Sequence, residues 1–270
     1  MMVATTPCLC GNEFVGDSLV RGRSRIGENV DIRACSECGV LRTYPPPSIE
    51  ELNRTIYASD EGYRDQVRFD QGFRCRMFLD FVSGFLRNAQ PKMLDVACGA
   101  GQLLVEARRR GWNARGIDIN ERAVEFAREQ RKVDVVSGTV DSLPMDELYD
   151  VITLRHALEH IDNPVGMLRM LTARLKDDGV ICIEVPNRDG LYARILGPQW
   201  YGYGVSQHLW HFTPTSIKKV AERAGLKVNA ISCRFCLDYP VPTFLRPMTE
   251  LPGTICNLGD DMMAAFSKVR

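Results

Sequence analysis

Met93-Leu94-Asp95-Val96-Ala97-Cys98-Gly99-Ala100-Gly101-Gln102 reads as a short buried strand that runs straight into a glycine turn and then a helix. The helix is expected over Leu103 to Arg110, closed by Gly111. Gly99 and Gly101 carry no Cβ and tolerate positive φ, so the backbone there can approach a ligand closely. The new helix turns its unpaired N–H groups toward whatever occupies that space.

The neighbours of the turn narrow the ligand. A dinucleotide site requires a third glycine three residues after the second, beneath a pyrophosphate. Leu104 stands at that position instead. Asp95, just before the turn, suits a cationic ligand better than a diphosphate. A second strand, Ala114 to Ile117, ends in Asp118, about 20 residues beyond the loop, where a carboxylate can accept both ribose hydroxyl protons.

At these residues the chain resembles the class I S-adenosylmethionine-dependent methyltransferases. The resemblance rests on LDVACGAG, then GIDIN (Gly116 to Asn120), DSLP (Asp141 to Pro144), YDVITLRHALEHIDNP (Tyr149 to Pro164) and LKDDGVICIEVPN (Leu175 to Asn187), in family order. It covers the span from about residue 90 to the C-terminus, with Ala97 where the family usually carries glycine. It implies an α/β, Rossmann-like fold: a seven-stranded, mostly parallel sheet with an antiparallel C-terminal edge strand. It implies S-adenosyl-L-methionine as cofactor, with binding residues among Asp95, Ala97, Gly99, Gly101, Gln102, Asp118, Ile119, Asp141, Ser142, Leu143 and Arg155. By that likeness Asp141 meets the adenine amino group and Leu143 its ring; read without it, Asp141 is a turn cap.

Composition sets the outer bounds. With 270 residues, 45% hydrophobic and 25% charged, the chain can bury a full core and hold one large domain plus a small appendage. Lys+Arg and Asp+Glu are both 34, a balance that gives no general attraction to nucleic acid or anionic membrane. The sequence has no long apolar run of membrane-spanning length and no secretory leader, so the expected compartment is the cytoplasm. It specifies no oligomeric state.

Of ten cysteines, Cys8, Cys10, Cys35 and Cys38 cluster in the first forty residues. The other six are scattered singly, as small buried hydrophobes would be, and suggest no disulfide framework. Cys8-Leu-Cys10-Gly11 and Cys35-Ser-Glu-Cys38-Gly39 are two glycine-turned knuckles separated by a hairpin-sized spacer, a set that suits a structural zinc. The first knuckle is one residue shorter than the common C-x-x-C. Cysteines without an ion remain the alternative. Four thiolates leave no open position for zinc catalysis. The segment is similar to zinc ribbons that precede the methyltransferase domain in some bacterial members of the family.

The expected organisation is a ribbon-like segment over 1–45, a helical lid or linker over 46–90 and the methyltransferase domain over 91–270. Thr43 to Ser48 carries three prolines and reads as an extended linker, after which Ser48 caps a helix with Glu51 as reciprocal partner. From Tyr57 to Asn88 the pattern is helical, with an apolar stripe through Phe69, Phe73, Met77, Phe81 and Phe85. In the resembling family this segment also covers the cofactor, which makes Tyr57, Tyr63 and Arg74 candidate contacts. Beyond it, strands at 92–97, 114–118, 133–136, 149–154 and 179–185 alternate with helices at 102–110, 120–130 and 163–175. A helix at 214–224 and strands at 226–233 and 260–268 follow, the last expected as the antiparallel edge strand.

All four histidines fall in two short segments expected to flank one crevice. His156 and His160, with Glu159 between, are read as sharing a helix face. H-x-x-E-H is also an inverted zinc-protease signature, but here it follows a strand of a nucleotide-type sheet. In small-RNA end-methylating enzymes and ubiquinone-pathway O-methyltransferases a related E-x-x-E-H helix binds a divalent metal; this chain has His156 where those have the first glutamate, which leaves a metal open. His208 and His211 lie in a loop rich in Trp and Tyr, suited to a small organic acceptor. A neutral imidazole can take the proton of an acceptor hydroxyl during methyl transfer, with His208 the first choice, then His160, and His156 in the same set.

The sequence therefore points to O-methylation of a sugar or secondary metabolite by an S-adenosylmethionine-dependent enzyme. Three other readings stay open. A nucleic-acid methyltransferase would grip RNA or DNA with the ribbon through Arg21, Arg23, Arg25, Arg33 and Arg42, although the neutral total charge opposes it. A nicotinamide oxidoreductase is opposed by Leu104, and a non-catalytic S-adenosylmethionine-binding protein would keep the fold without the chemistry.

Overall fold

Runs of Val, Ile and Leu form strands buried on both faces, and the amphipathic helices between them cover those faces. The computed structural model describes residues 8–10, 18–23, 29–46, 52, 72–204, 207–235 and 257–269. The expected Ser48–Glu51 cap, Tyr57, Tyr63, Phe69 and Arg25 lie outside the described residues.

The elements in chain order are β1 (Ser18–Arg23), β2 (Asn29–Ala34), β3 (Leu41–Tyr44), α1 (Gly72–Ser83), β4 (Lys92–Val96) and α2 (Gln102–Arg109). There follow β5 (Asn113–Asp118), α3 (Glu121–Glu129), β6 (Asp134–Ser137), β7 (Tyr149–Arg155), α4 (Pro164–Ala173) and β8 (Leu175–Pro186). The chain continues with α5 (Leu191–Leu196), β9 (Trp210–His211), α6 (Pro214–Arg223), β10 (Leu226–Arg234) and β11 (Asp261–Lys268). Asn120 caps α3 through Ala123 N–H, and Thr213 and Ser216 form a reciprocal capping box on α6.

The large sheet has strand order β10-β11-β8-β7-β4-β5-β6. All its strands run parallel except β11, which is antiparallel to both β10 and β8. The last strand is thus antiparallel as expected, but it sits one place in from the edge, and β10 takes the edge. The chain leaves β4 toward β5 on one side and β7 on the other, so the switch in strand order opens a crevice above β4 and β7.

Helix α1 corrects the expected stripe. Its buried positions are Cys75, Phe78, Leu79 and Val82, at i, i+3, i+4 and i+7, whereas Phe73 is 54% exposed. The buried face packs with Met93, Leu103, Ala107 and Trp112, and Phe81 meets Phe85 edge-on at 5.2 Å along the flank. A second sheet, in the order β1-β2-β3-β9, takes its last strand from the large domain. None of the described helices is long and apolar enough to cross a membrane.

Candidate active site

The turn after β4 is left-handed at three alternate positions: Ala97 (φ 56°), Gly99 (φ 52°) and Gly101 (φ 78°). A Cβ on Gly101 would lie 2.8 Å from Val133 and 3.2 Å from Ala127, so the backbone there passes where only glycine fits. Gly99 N–H donates to Asp118 Oδ2 at 2.7 Å, and Asn120 N–H donates to Oδ1 at 2.8 Å. Burial pushes the Asp118 carboxyl up against these two hydrogen bonds. Asp95 is buried beside the turn and accepts from Thr153 Oγ1 at 2.7 Å. Its burial pushes it up to about 7.

Above the turn lies a cleft of about 360 Å³, within the range of small-molecule sites. Its floor is the loop from Ala97 with the first turn of α2, and its walls include Arg155, His156, Tyr201, His208 and Asp261. Arg155 Nε donates to Glu184 Oε2 at 2.5 Å and Nη1 to Cys75 Sγ at 3.2 Å. Its Nη2 is buried and has no hydrogen-bond partner among the described residues. Burial works against the charge on Glu184, but Arg155, His156 and Arg74 overcome it and hold the carboxyl down at about 2.

His156 follows β7 in the left-handed region (φ 47°), and its N–H donates to Glu184 O at 2.8 Å. The chain then makes only one 3-10 turn, Leu158–His160. The expected helix carrying both histidines is therefore absent: the reversal at His156 leaves no room for a full α-helical turn. Buried carboxylates surround His156 and favour its charged form. They outweigh its burial and the nearby Arg74 and raise its pKa above the ordinary value; Arg74 Nη2 lies 3.0 Å from Nε2, and Nδ1 faces Glu159 at 3.7 Å.

His160 and His208 meet edge-to-face at 4.8 Å. Nδ1 of His160 lies 3.0 Å from Gln207 O and Nδ1 of His208 lies 2.8 Å from Gly202 O. A carbonyl only accepts, so both rings carry the proton on Nδ1 and the lone pair on Nε2. Burial pushes His208 down to about 4 and lowers His160 as well. Glu159 is buried beside them, with neither carboxylate oxygen hydrogen-bonded among the described residues. One of its oxygens and a ring nitrogen from each histidine lie within 4.8 Å of one another.

The cleft brings together eight of the anticipated residues: Arg74, Asp95, Ala97, Gly99, Gln102, Arg155, His156 and His208. Gly101 shapes the turn, Asp118 sits behind Gly99, and His160 backs His208. Ile119 is 43% exposed, and Asp141 and Ser142 lie on an exposed 3-10 turn with Ser142 Oγ donating to Thr139 O. Leu143 differs from expectation: its side chain lies in the core with Val140 and Tyr149, and Arg174 donates to its carbonyl. His211 also stands apart from the cleft, packed on Tyr203 at 5.4 Å. Tyr201 comes from the aromatic loop expected to line an acceptor pocket, whereas Asp261 was not anticipated; its only signal is an acid opening the last strand.

In the ribbon, Cys8 Sγ lies 3.4 Å from Cys38 Sγ and Cys10 Sγ 3.8 Å from Cys35 Sγ, with all four within 4.8 Å of one another. A tetrahedral zinc with bonds of about 2.3 Å requires sulfur spacings of about 3.8 Å, so the donor set fits the ion. Lys219 and Arg223 on α6 donate to the carbonyls of Cys38 and Leu9, docking both knuckles on the large domain. Of the arginine cluster, Arg42 is buried against Asp162, and Arg33 pairs with Asp31 and stacks on Tyr44. These two do not contribute to an open basic face.

Curated relatives include the ubiquinone biosynthesis O-methyltransferases of Idiomarina loihiensis, 28% identical over 156 residues, and Nitrosomonas europaea, 27% identical over 168 residues. The first match spans 52% of this chain and 63% of the relative; the second spans 57% and 70%. A SAM-dependent methyltransferase from Thermotoga maritima superposes with a TM-score of 0.59 at 20% identity, over 82% of this chain and 99% of that one, a likeness of fold. Residues 68–231 match the family described as the methyltransferase domain, and the chain with its glycine turn, paired acids and mixed sheet belongs to that family.

Proposed function

We propose that the chain transfers a methyl group from S-adenosyl-L-methionine to a hydroxyl of a small organic acceptor, a sugar or secondary metabolite, with His208 as general base. The observation that carries this reading is one cleft uniting a glycine turn, the buried carboxylate of Asp95 and the neutral imidazole of His208. The lining fits the cofactor: Asp95 is a buried carboxyl at the cleft floor, and Arg155 Nη2 is a buried donor without a partner among the described residues.

Asp95 and the loop from Ala97 to Gln102 would hold the amino-acid end, Asp118 with Ile119 the ribose, and the turn at Asp141 and Ser142 the adenine end. When bound, S-adenosylmethionine supplies an electrophilic methyl carbon on a sulfonium centre. Asp95 offers that cation a carboxylate where water is largely excluded. The walls formed by Tyr201 and His208 align the acceptor, which is the main demand of an in-line displacement. His208 Nε2 takes the hydroxyl proton. Burial makes His208 a weak base, and the adjacent Glu159 carboxylate favours the imidazolium once it forms. The four ribbon cysteines hold a structural zinc with no catalytic position.

The test begins with purified protein, denatured, and mass spectrometry of what it releases. A co-purified adenosyl thioether and one zinc per chain are expected. Calorimetry with S-adenosylhomocysteine and transfer of labelled methyl to a panel of sugars and phenols follow. No binding and no transfer to any member would overturn the reading.

A further inference from the structure

Thr43 of β3 is 0% exposed, and both ends of its hydrogen bonding lie in the histidine loop. Its Oγ1 is 2.6 Å from His208 O and 3.0 Å from His211 Nε2, while its N–H donates to Leu209 O at 3.0 Å. A hydroxyl has one proton, and the His208 carbonyl can only accept, so Oγ1 donates there. His211 must then donate to Oγ1, which puts its proton on Nε2 and leaves Nδ1 bare. Nδ1 of His211 is indeed buried without a hydrogen-bond partner among the described residues.

The rest of β3 grips the same loop. Leu41 pairs with His211 and Arg42 with Trp210; the Arg42 guanidinium lies 4.6 Å over the Trp210 ring and reaches Asp162 at 2.9 Å. From the opposite side, Leu209 N–H donates to Glu159 O at 2.8 Å. The loop is thus clamped between the ribbon strand and the turn that carries Glu159 and His160. The ribbon strand itself issues directly from the Cys35–Cys38 knuckle, where Cys35 N–H donates to Val40 O at 2.8 Å.

We propose that β3 of the ribbon is a working part of the acceptor site, with Thr43 as the positioning residue that fixes the His208 backbone and sets the His211 tautomer. This rests on the reading of the cleft as a methyl-transfer site. It assigns the ribbon an intramolecular task in place of a grip on a macromolecule.

The test uses the full zinc-loaded chain carrying Thr43→Val, which keeps the shape and removes the hydroxyl, and Thr43→Ser, which keeps the hydroxyl. In Thr43→Val, amide hydrogen exchange over residues 207–213 should rise at least about tenfold while residues 92–118 stay within about twofold. Histidine nitrogen NMR should show His211 leaving its Nε2–H form. S-adenosylhomocysteine affinity should hold within about threefold, and kcat for labelled methyl transfer should fall about tenfold or more with KM for S-adenosylmethionine unchanged. Thr43→Ser should restore every value. Unchanged exchange at 207–213, or an equal rise over both segments, would overturn the proposal. Should Thr43→Val fail to accumulate, Thr43→Ala is read by the same exchange and NMR criteria. A wild-type chain that binds no S-adenosylhomocysteine sinks the methyl-transfer reading, and the exchange data still decide the role of Thr43.

Discussion

Nδ1 of His208 lies 2.8 Å from the carbonyl oxygen of Gly202, so the ring proton is held there, and Nε2 is the basic nitrogen of a side chain that lines the cleft. Burial pushes the ring down to about 4. The base form exists above that value and is lost as pH falls through it. The acid limb of kcat/KM for the acceptor, measured with S-adenosylmethionine saturating at every pH so that Asp95 does not enter it, should therefore have its midpoint near 4, well below an ordinary histidine at about 6.5. His208→Gln should lower kcat by about 10²–10⁴-fold. Its S-adenosylhomocysteine affinity, measured by calorimetry, should stay near that of the wild type. An acid limb near 6.5 would remove His208 from the role.

The ring of His208 also rests on a glycine. Gly204 has φ 40°, and a Cβ there would lie 2.9 Å from Nδ1 of His208. Gly204→Ala should push the ring off Gly202 O and cost about tenfold or more in kcat. The loop around Gly99 is untouched by this change, so cofactor affinity should hold. A crystal structure of the variant with the ring unmoved, or full activity, would contradict this.

Sequence spacing was sufficient for the turn after β4 and for Asp118, because glycine geometry and the strand-end acid are local properties. Position within the sheet is not local. Strand β11 inserts between β8 and β10 through hydrogen bonds to residues about thirty and eighty positions away, which no pattern inside Asp261–Lys268 encodes. The same holds for Thr43 and His208, 165 residues apart. His156 misled for a different reason: H-x-x-E-H has helical spacing, but the left-handed residue after β7 breaks the helix before it starts. In α1 the phenylalanines at four-residue spacing masked the truly buried set, where Cys75 passes for a polar position.

Asp95 makes cofactor binding pH-dependent with a definite sign. Its carboxyl is pushed up to about 7 by burial, so below that value the site is largely neutral and above it carries the charge that attracts a cation. Affinity for S-adenosylmethionine should rise as pH goes from 6 to 8 and flatten beyond, and Asp95→Asn should bind weakly with the slope removed. Stability runs the other way. The folded chain keeps a proton that the unfolded chain releases near its ordinary value of about 4, so this group's contribution declines as pH rises from about 4 to 7. Asp95→Asn without ligand should accordingly melt higher than the wild type at pH 8, by at least about 3 °C. A melting point equal to or below that of the wild type would remove Asp95 as a strained buried charge.

The ribbon ties zinc to the histidine loop by a short covalent path. Four sulfurs within 4.8 Å cannot all ionise without a cation, and burial already pushes the Cys8 thiol up. Zinc should be present at one per chain, and Cys35→Ser should lose it and lower the melting temperature by roughly 5 °C or more. Since β3 begins three residues after Cys38 and pairs with β9, amide exchange in that variant should rise at 207–213 before it rises in β4 or β5. The order of these changes separates two kinds of metal. Loss of an ion that merely closes the ribbon would loosen residues 29–46 alone. Loss of an ion that braces the site must also loosen Trp210 and His211, because their described strand partner is the one it anchors.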